Sequence, residues 1–240
     1  MYTGNVRDSE WERTSNQMIA VEQEDGSFKK LEKPVIESSP EGYTEHFRDP
    51  KVWEQNGKYY AIFGVQREDE TGTVIVYESE DIKNWNFKGE LKTELNEFGF
   101  MWECPDLFEL DGQDVLVFSP QGIEAVDDRF ENIYQSGYII GNVNLEELTM
   151  EHGQFKELDQ GFDFYAPQTF LDKDGKRILI GWMGLPEIDY ATDDEGWAHC
   201  LTLPRELTIE NNKLKQRPIK ALEKLRSNEE TAEGYANKHS

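Results

Sequence analysis

Cysteine is nearly absent from this sequence. Cys104 and Cys200 are the only two in 240 residues, and neither has the paired spacing of a zinc site or a disulfide framework. A reducing, cytoplasmic setting fits that scarcity. Long apolar runs are lacking too: none approaches the roughly 20 residues of a membrane span. The opening residues MYTGNVRDSEWERT have neither the charged start nor the apolar stretch of a secretory leader, and no membrane partner is expected. Basic residues are few, 25 against 49 acidic ones, for a formal net charge of -24. No Lys/Arg stripe is present to neutralise a phosphate backbone, which argues against a nucleic-acid partner. The acidic surplus is spread along the chain and reads as a well-solvated surface. Histidine is rare, and His46 and His199 show no metal-ligand spacing; neither a metal nor a cofactor is expected.

What is present suits a folded chain, with 37% hydrophobic and 12% aromatic residues. The informative feature is a repeat. FRDPKVWEQNGKYYAIFG, WECPDLFELDGQDVLVFS and FYAPQTFLDKDGKRILIGW each read as apolar and polar residues, a Pro, a short strand, a Gly-containing turn and a β-rich run. Pro50 lies seven residues before Gly57, Pro105 seven before Gly112, and Pro167 eight before Gly175. That is a hairpin signature three times over. The spacings between prolines, 105 − 50 = 55 and 167 − 105 = 62, fit propeller blades of about 40–50 residues with inserted loops. Later strands follow in TVIVYESEDIKNWNF, SGYIIGNVN and HCLTLPRELTIENNKLKQRP, so each unit reaches the four strands of a blade.

The opening stretch, MYTGN and then QMIAVEQEDGSFKKLEKPVI, resembles the later part of such a unit without its first strand. The expected architecture is therefore all-β: a partial β-propeller over 1–218, with three whole blades and one partial one. An incomplete propeller leaves strand edges open, which predicts that further blade segments belong to the intact fold. IKALEKLR predicts a short helix over 219–226, and a polar tail without periodicity follows over 227–240.

In a propeller the first strand of each blade is innermost, so equivalent positions on these strands converge on one axial cleft. Asp49, Glu103 and Tyr165 sit at matching places, one or two residues before the repeat Pro. Two carboxylates converging in one cleft suit glycosidic bond cleavage, which needs an acid for the leaving oxygen and a carboxylate facing the oxocarbenium ion. Glu103 lies among Met101, Trp102, Cys104 and Pro105, so its carboxyl is expected in partly apolar surroundings. Asp49 follows Arg48, whose guanidinium is expected to favour its ionised form if a bend brings the two side chains together. Asp-Pro also opens turns, and Trp102 and Trp182 are by default core or strand-face aromatics. The residues alone leave the division of roles between the carboxylates open.

The motifs RDP (48–50), WECPDLF (102–108), FYAPQT (164–169) and GWM (181–183) resemble, in order and spacing, those of glycoside hydrolase family 32. HFRDPKVW, NIYQSGY, EGWAHCLTLPREL and KLKQRP are most similar to its sucrose-6-phosphate hydrolase branch. The resemblance covers nearly all of residues 1–226. It implies a five-bladed propeller followed by a β-sandwich, and retaining cleavage of terminal β-D-fructofuranosides such as sucrose or sucrose 6-phosphate. Glu103 would be the acid/base and Asp49 the transition-state stabiliser. Arg48, Trp182 and Tyr165 would line the substrate site. The family's nucleophile belongs to a WMNDPNG-like motif that this sequence does not contain, and no FSGS-like motif is present either. The resemblance thus implies an enzyme whose nucleophile is missing from these 240 residues, so that the chain alone is expected not to turn over. A fructoside-binding or inactive propeller remnant and a fructan hydrolase are the alternative readings.

Overall fold

The computed structural model describes residues 1–7, 13–161, 163–228 and 230–231. β1 (Tyr2–Arg7) and β2 (Arg13–Met18) pair as an antiparallel hairpin, and β3 (Ala20–Glu22) with β4 (Phe28–Lys30) forms a second. Together they make the partial blade. A full blade follows, β5 (Tyr43–Gln55), β6 (Lys58–Arg67), β7 (Gly72–Ser79) and β8 (Asn86–Glu90), each strand pairing with the next. The second blade orders β9 (Met101–Leu110), β10 (Gln113–Gln121), β11 (Gly137–Asn144) and β12 (Thr149–His152), with the short β13 (Lys156–Glu157) also on β11. The third runs β14 (Tyr165–Leu171), β15 (Arg177–Met183), β17 (Arg205–Glu210) and β18 (Lys213–Pro218), with β16 (Cys200–Leu201) added on β15. This is the propeller arrangement read from the repeat. The tight turns at Asn56-Gly57 and Asp111-Gly112 hold both central residues at positive φ, as two-residue hairpins between right-twisted strands require.

Period-2 alternation explains why blades stack. In β6, Tyr60 and Ile62 face the second blade, while Ala61, Phe63 and Val65 face the partial one. In β10, Leu116 and Phe118 pack back toward the first blade, and Val115 and Val117 pack forward on Leu179 and Leu207 of the third. A middle blade thus buries both faces, and its strands read as near-continuous apolar runs.

The first strands of the three blades adjoin one another along the axis. Asp106 of β9 is fully buried; its Oδ2 accepts from Lys51 Nζ of β5 at 3.0 Å and from the Thr169 amide of β14 at 2.7 Å. Lys51 also donates to the Thr169 carbonyl. One carboxylate therefore ties three inner strands together. Close approach is permitted at Gly64 of β6, where a Cβ would collide with the carbonyl oxygen of Trp102.

Residues Lys220–Leu225 form a 3₁₀ helix rather than an α-helix, and no residue in it is buried. With no buried side chain to hold a longer helix, two short turns are what remain. Of the tail expected over 227–240, residues 229 and 232–240 lie outside the described residues. No helix among the described residues is long and apolar enough to cross a membrane.

Candidate active site

The three inner strands share one irregularity. Arg48 pairs with Gly64 but Lys51 with Ile62; Glu103 pairs with Ser119 but Asp106 with Val117; Tyr165 pairs with Trp182 but Gln168 with Ile180. Each inner strand carries three steps against two on its neighbour, which is a β-bulge. The residue before the Pro takes up the extra step at positive φ: Asp49 at 62°, Cys104 at 51° and Ala166 at 48°. Left-handed backbone is unfavourable for a residue with a Cβ, by about 1 kcal/mol or more. The strain recurs at three equivalent places around one pocket. Its effect is to let consecutive side chains, such as Arg48 and Asp49, line the same cavity instead of opposite faces of the sheet.

That cavity, of about 450 Å³, is lined by Arg48, Asp49, Glu103, Tyr165 and Trp182, all five residues singled out in the sequence, and by Arg13, His46, Gln121, Tyr134 and Glu187. A larger space of about 960 Å³ opens at the far ends of the inner strands, around Trp53, Phe108 and Phe170, away from the bulges.

Glu103 is the best-held group in the pocket. Its Oε1 accepts from Arg48 Nε at 2.7 Å and lies 2.6 Å from Arg48 Nη2. Oε2 accepts from Tyr165 Oη at 2.6 Å and from Gln121 Nε2 at 3.0 Å. The apolar surroundings expected for it are not found. Trp102 turns into the core and stacks on Phe118 with centroids 4.2 Å apart, and Cys104 turns to Asp49. Trp102 is thus lost to the core, while Cys104, at the bulge, lines the same pocket but turns its side chain to Asp49. Among its partners, the Tyr165 hydroxyl can switch from donor to acceptor without moving its oxygen. Tyr165 can therefore serve both the ionised and the protonated acid. Burial first, and the Glu103 charge second, push the Tyr165 phenol well above its usual range and keep its proton in place.

Asp49 is bound differently. Its Oδ2 accepts from the Cys104 amide at 3.0 Å, and its own amide donates to Thr3 Oγ1 at 3.1 Å. Burial raises its pKa above the ordinary carboxylate value, with the nearby Glu103 charge adding to the rise. The Cys104 amide and Arg48 pull the other way but do not prevail. Arg48 thus does not hold Asp49 ionised as the sequence suggested, because its guanidinium is turned to Glu103.

Trp182 stands opposite Tyr165 and packs edge-on to His199, 4.8 Å between centroids; Tyr190 also meets His199 edge-on, at 4.4 Å. His46, read from sequence as ordinary, sits in the pocket with Nδ1 at 2.8 Å from Arg48 Nη1. Gln121 and the Tyr134–Glu187 pair, joined at 3.0 Å, also escaped sequence reading. Tyr134 lies within the NIYQSGY stretch, but nothing in spacing marks it. Gln121 is legible only as the end of a second strand, three residues after Phe118.

The model of the glycosyl hydrolases family 32 N-terminal domain matches residues 1–218. A sucrose-6-phosphate hydrolase of Staphylococcus xylosus is 62% identical over 238 residues, covering 99% of this chain and 48% of its own length. The solved sucrose-6-phosphate hydrolase of Lactobacillus gasseri superposes with a TM-score of 0.90 at 40% identity, over 95% of this chain and 47% of that one. A Bombyx mori β-fructofuranosidase of family 32, solved with sucrose, gives 0.87 at 38% identity, over 95% and 49%. The chain spans about half the length of the curated relatives it matches.

Proposed function

This chain belongs to glycosyl hydrolase family 32, and from that premise we propose that its pocket serves the retaining hydrolysis of terminal β-D-fructofuranosides, sucrose or sucrose 6-phosphate. The observation that carries the reading is a carboxyl gripped through both oxygens, Glu103, with Asp49 bonded to the very next backbone amide. In the first step a carboxylate nucleophile attacks the anomeric carbon of fructose. Glu103 delivers its proton to the glycosidic oxygen as that bond breaks. In the second step Glu103 takes a proton from water, whose oxygen attacks the same carbon and frees fructose and the nucleophile. Asp49 accepts fructose hydroxyls and stabilises the positive charge between the steps. Arg48 and Tyr165 orient Glu103, and Trp182 provides an apolar wall for the ring.

The nucleophile comes from outside these 240 residues in this reading, since the WMNDPNG-like motif is not among them. The chain by itself then binds fructosides without cleaving them. Titrating purified chain with sucrose while following tryptophan fluorescence tests this, with fructose release assayed alongside. Saturable quenching without release supports the reading; turnover by the chain alone contradicts the assignment of the nucleophile.

A further inference from the structure

β5 is the first strand of its blade and pairs with β6 alone, so one of its edges has no strand partner. Its ladder with β6 breaks between Arg48 and Lys51, and Pro50 has no N–H to offer there. The amide of Asp49, at the positive-φ step of that bulge, therefore lies outside the ladder. It is not left unpaired. Thr3 Oγ1, on β1 of the partial blade, accepts from it at 3.1 Å.

Thr3 is itself held. It stands opposite Gln17 in the β1–β2 register, and its hydroxyl donates to Gln17 Oε1 at 3.0 Å. Gln17 is fully buried, and its Nε2 donates to the Phe47 carbonyl at 3.2 Å. The direction of every bond in this chain is fixed. A carbonyl can only accept, so the amide nitrogen of Gln17 must face Phe47 and its oxygen must face Thr3. The Thr3 proton then goes to Gln17, and a lone pair of the same hydroxyl is left for the Asp49 amide. Two side chains thus clamp the backbone on either side of Arg48, at the carbonyl of Phe47 and the amide of Asp49. Ser15 extends the seam two residues further, its hydroxyl donating to the Glu45 carbonyl at 2.9 Å.

These polar side chains forgo the apolar packing that fills the rest of the interface, where Ile36, Phe47 and Phe63 meet. Their place beside Asp49 gives the reason. The Asp49 carboxylate is fixed at Oδ2 by the Cys104 amide, and the Cys104 carbonyl is in turn held by Gln168 Nε2 at 3.1 Å. Oδ1 has no hydrogen-bond partner among the described residues, so its direction in the pocket depends on the backbone that carries it. That backbone is in the left-handed region, which a residue with a Cβ leaves readily unless something holds it there. We propose that Thr3 and Gln17 are positioning residues for the reaction: by holding the Arg48–Asp49 peptide in its bulge, they aim Asp49 Oδ1 at the sugar. The inference rests on the fructoside reading above and adds two residues to it, neither of which lines the cavity.

The test is steady-state hydrolysis of sucrose and sucrose 6-phosphate by the enzyme completed with the complementary segments of the Staphylococcus xylosus relative, with thermal melts alongside. Thr3→Val keeps the shape of the side chain and removes its oxygen. Its kcat should fall about tenfold or more, with KM changed less than about threefold. Thr3→Ser, which returns the oxygen, should recover most of the loss. In an Asp49→Ala background Thr3→Val should cost almost nothing further, because a residue that acts through Asp49 has nothing left to position. A purely structural role predicts the same proportional loss in both backgrounds and a matching fall in melting temperature. Unaltered kcat in Thr3→Val, or a loss that persists in the Asp49→Ala background, overturns the inference while the fructoside reading stands. No fructose release from either sugar by the unaltered completed enzyme overturns both. If Thr3→Val melts early, Gln17→Met, which fills similar space and removes the acceptor of the Thr3 proton, decides by the same comparison of backgrounds.

Discussion

Arg48 grips a single oxygen of Glu103 with two nitrogens, Nε at 2.7 Å and Nη2 at 2.6 Å, across two blades of the fold. Both side chains are largely buried, so removing either partner strands the other. Breaking a buried pair costs more than the pair contributes net. Arg48→Met and Glu103→Gln should each destabilise the chain, and the double variant should lose less than the sum, by about 1–3 kcal/mol of coupling. Urea unfolding of the four proteins measures it; additivity would mean that the contact is electrostatically idle.

Asp49 gives a pH signature. Burial raises its folded pKa above the ordinary 3.8 of an aspartate, so the folded state holds the proton more tightly than the unfolded chain. The resulting stabilisation is complete below about 3.8 and is lost as pH rises through the folded pKa. Asp49→Asn, neutral at every pH, has no such loss. Its melting temperature should therefore gain on that of the unaltered protein from about pH 4 toward neutrality. A constant difference across that range would mean that Asp49 is not perturbed.

Asp106 carries a structural prediction. Its carboxylate holds Lys51 and the Thr169 amide, linking the inner strands of three blades with no exposure to water. Asp106→Ala leaves a lysine and a buried amide without that partner, and should cost about 3–5 kcal/mol in denaturant unfolding. Glu206→Gln, at a side chain that pairs with the half-exposed Lys176, should leave the midpoint in place.

The blades were legible because their signals are local. Pro at matched positions, Asn-Gly and Asp-Gly turns, and apolar runs such as AIFGV each speak for themselves. Convergence of the segments that carry Asp49 and Glu103 followed from repeat symmetry, although the bulges align Asp49 with Cys104 and Ala166, and Arg48 with Glu103 and Tyr165. The identity of their partners did not. Arg48 belongs to Glu103 rather than to its neighbour Asp49 because a bulge re-aims it, and the only trace of that bulge in the sequence is a Pro inside a strand. Gln121 reaches Glu103 from the far end of β10, and Arg13 enters the pocket from the β1–β2 hairpin, through tertiary packing that no spacing encodes. The Asp106 tie escaped for the same reason: its two partners, Lys51 and the Thr169 amide, lie 55 and 63 positions away on other blades.

The central claim is that Glu103 is the acid/base of a family 32 fructosidase, and its most direct test is turnover in a completed enzyme. Fusing this chain to the complementary segments of the Staphylococcus xylosus relative supplies a full-length background. Sucrose 6-phosphate hydrolysis is then compared for Glu103 and Glu103→Gln. Loss of general acid/base catalysis predicts a fall in turnover of about 10²–10⁴-fold with KM little changed. Near-equal turnover of the two proteins would contradict the account.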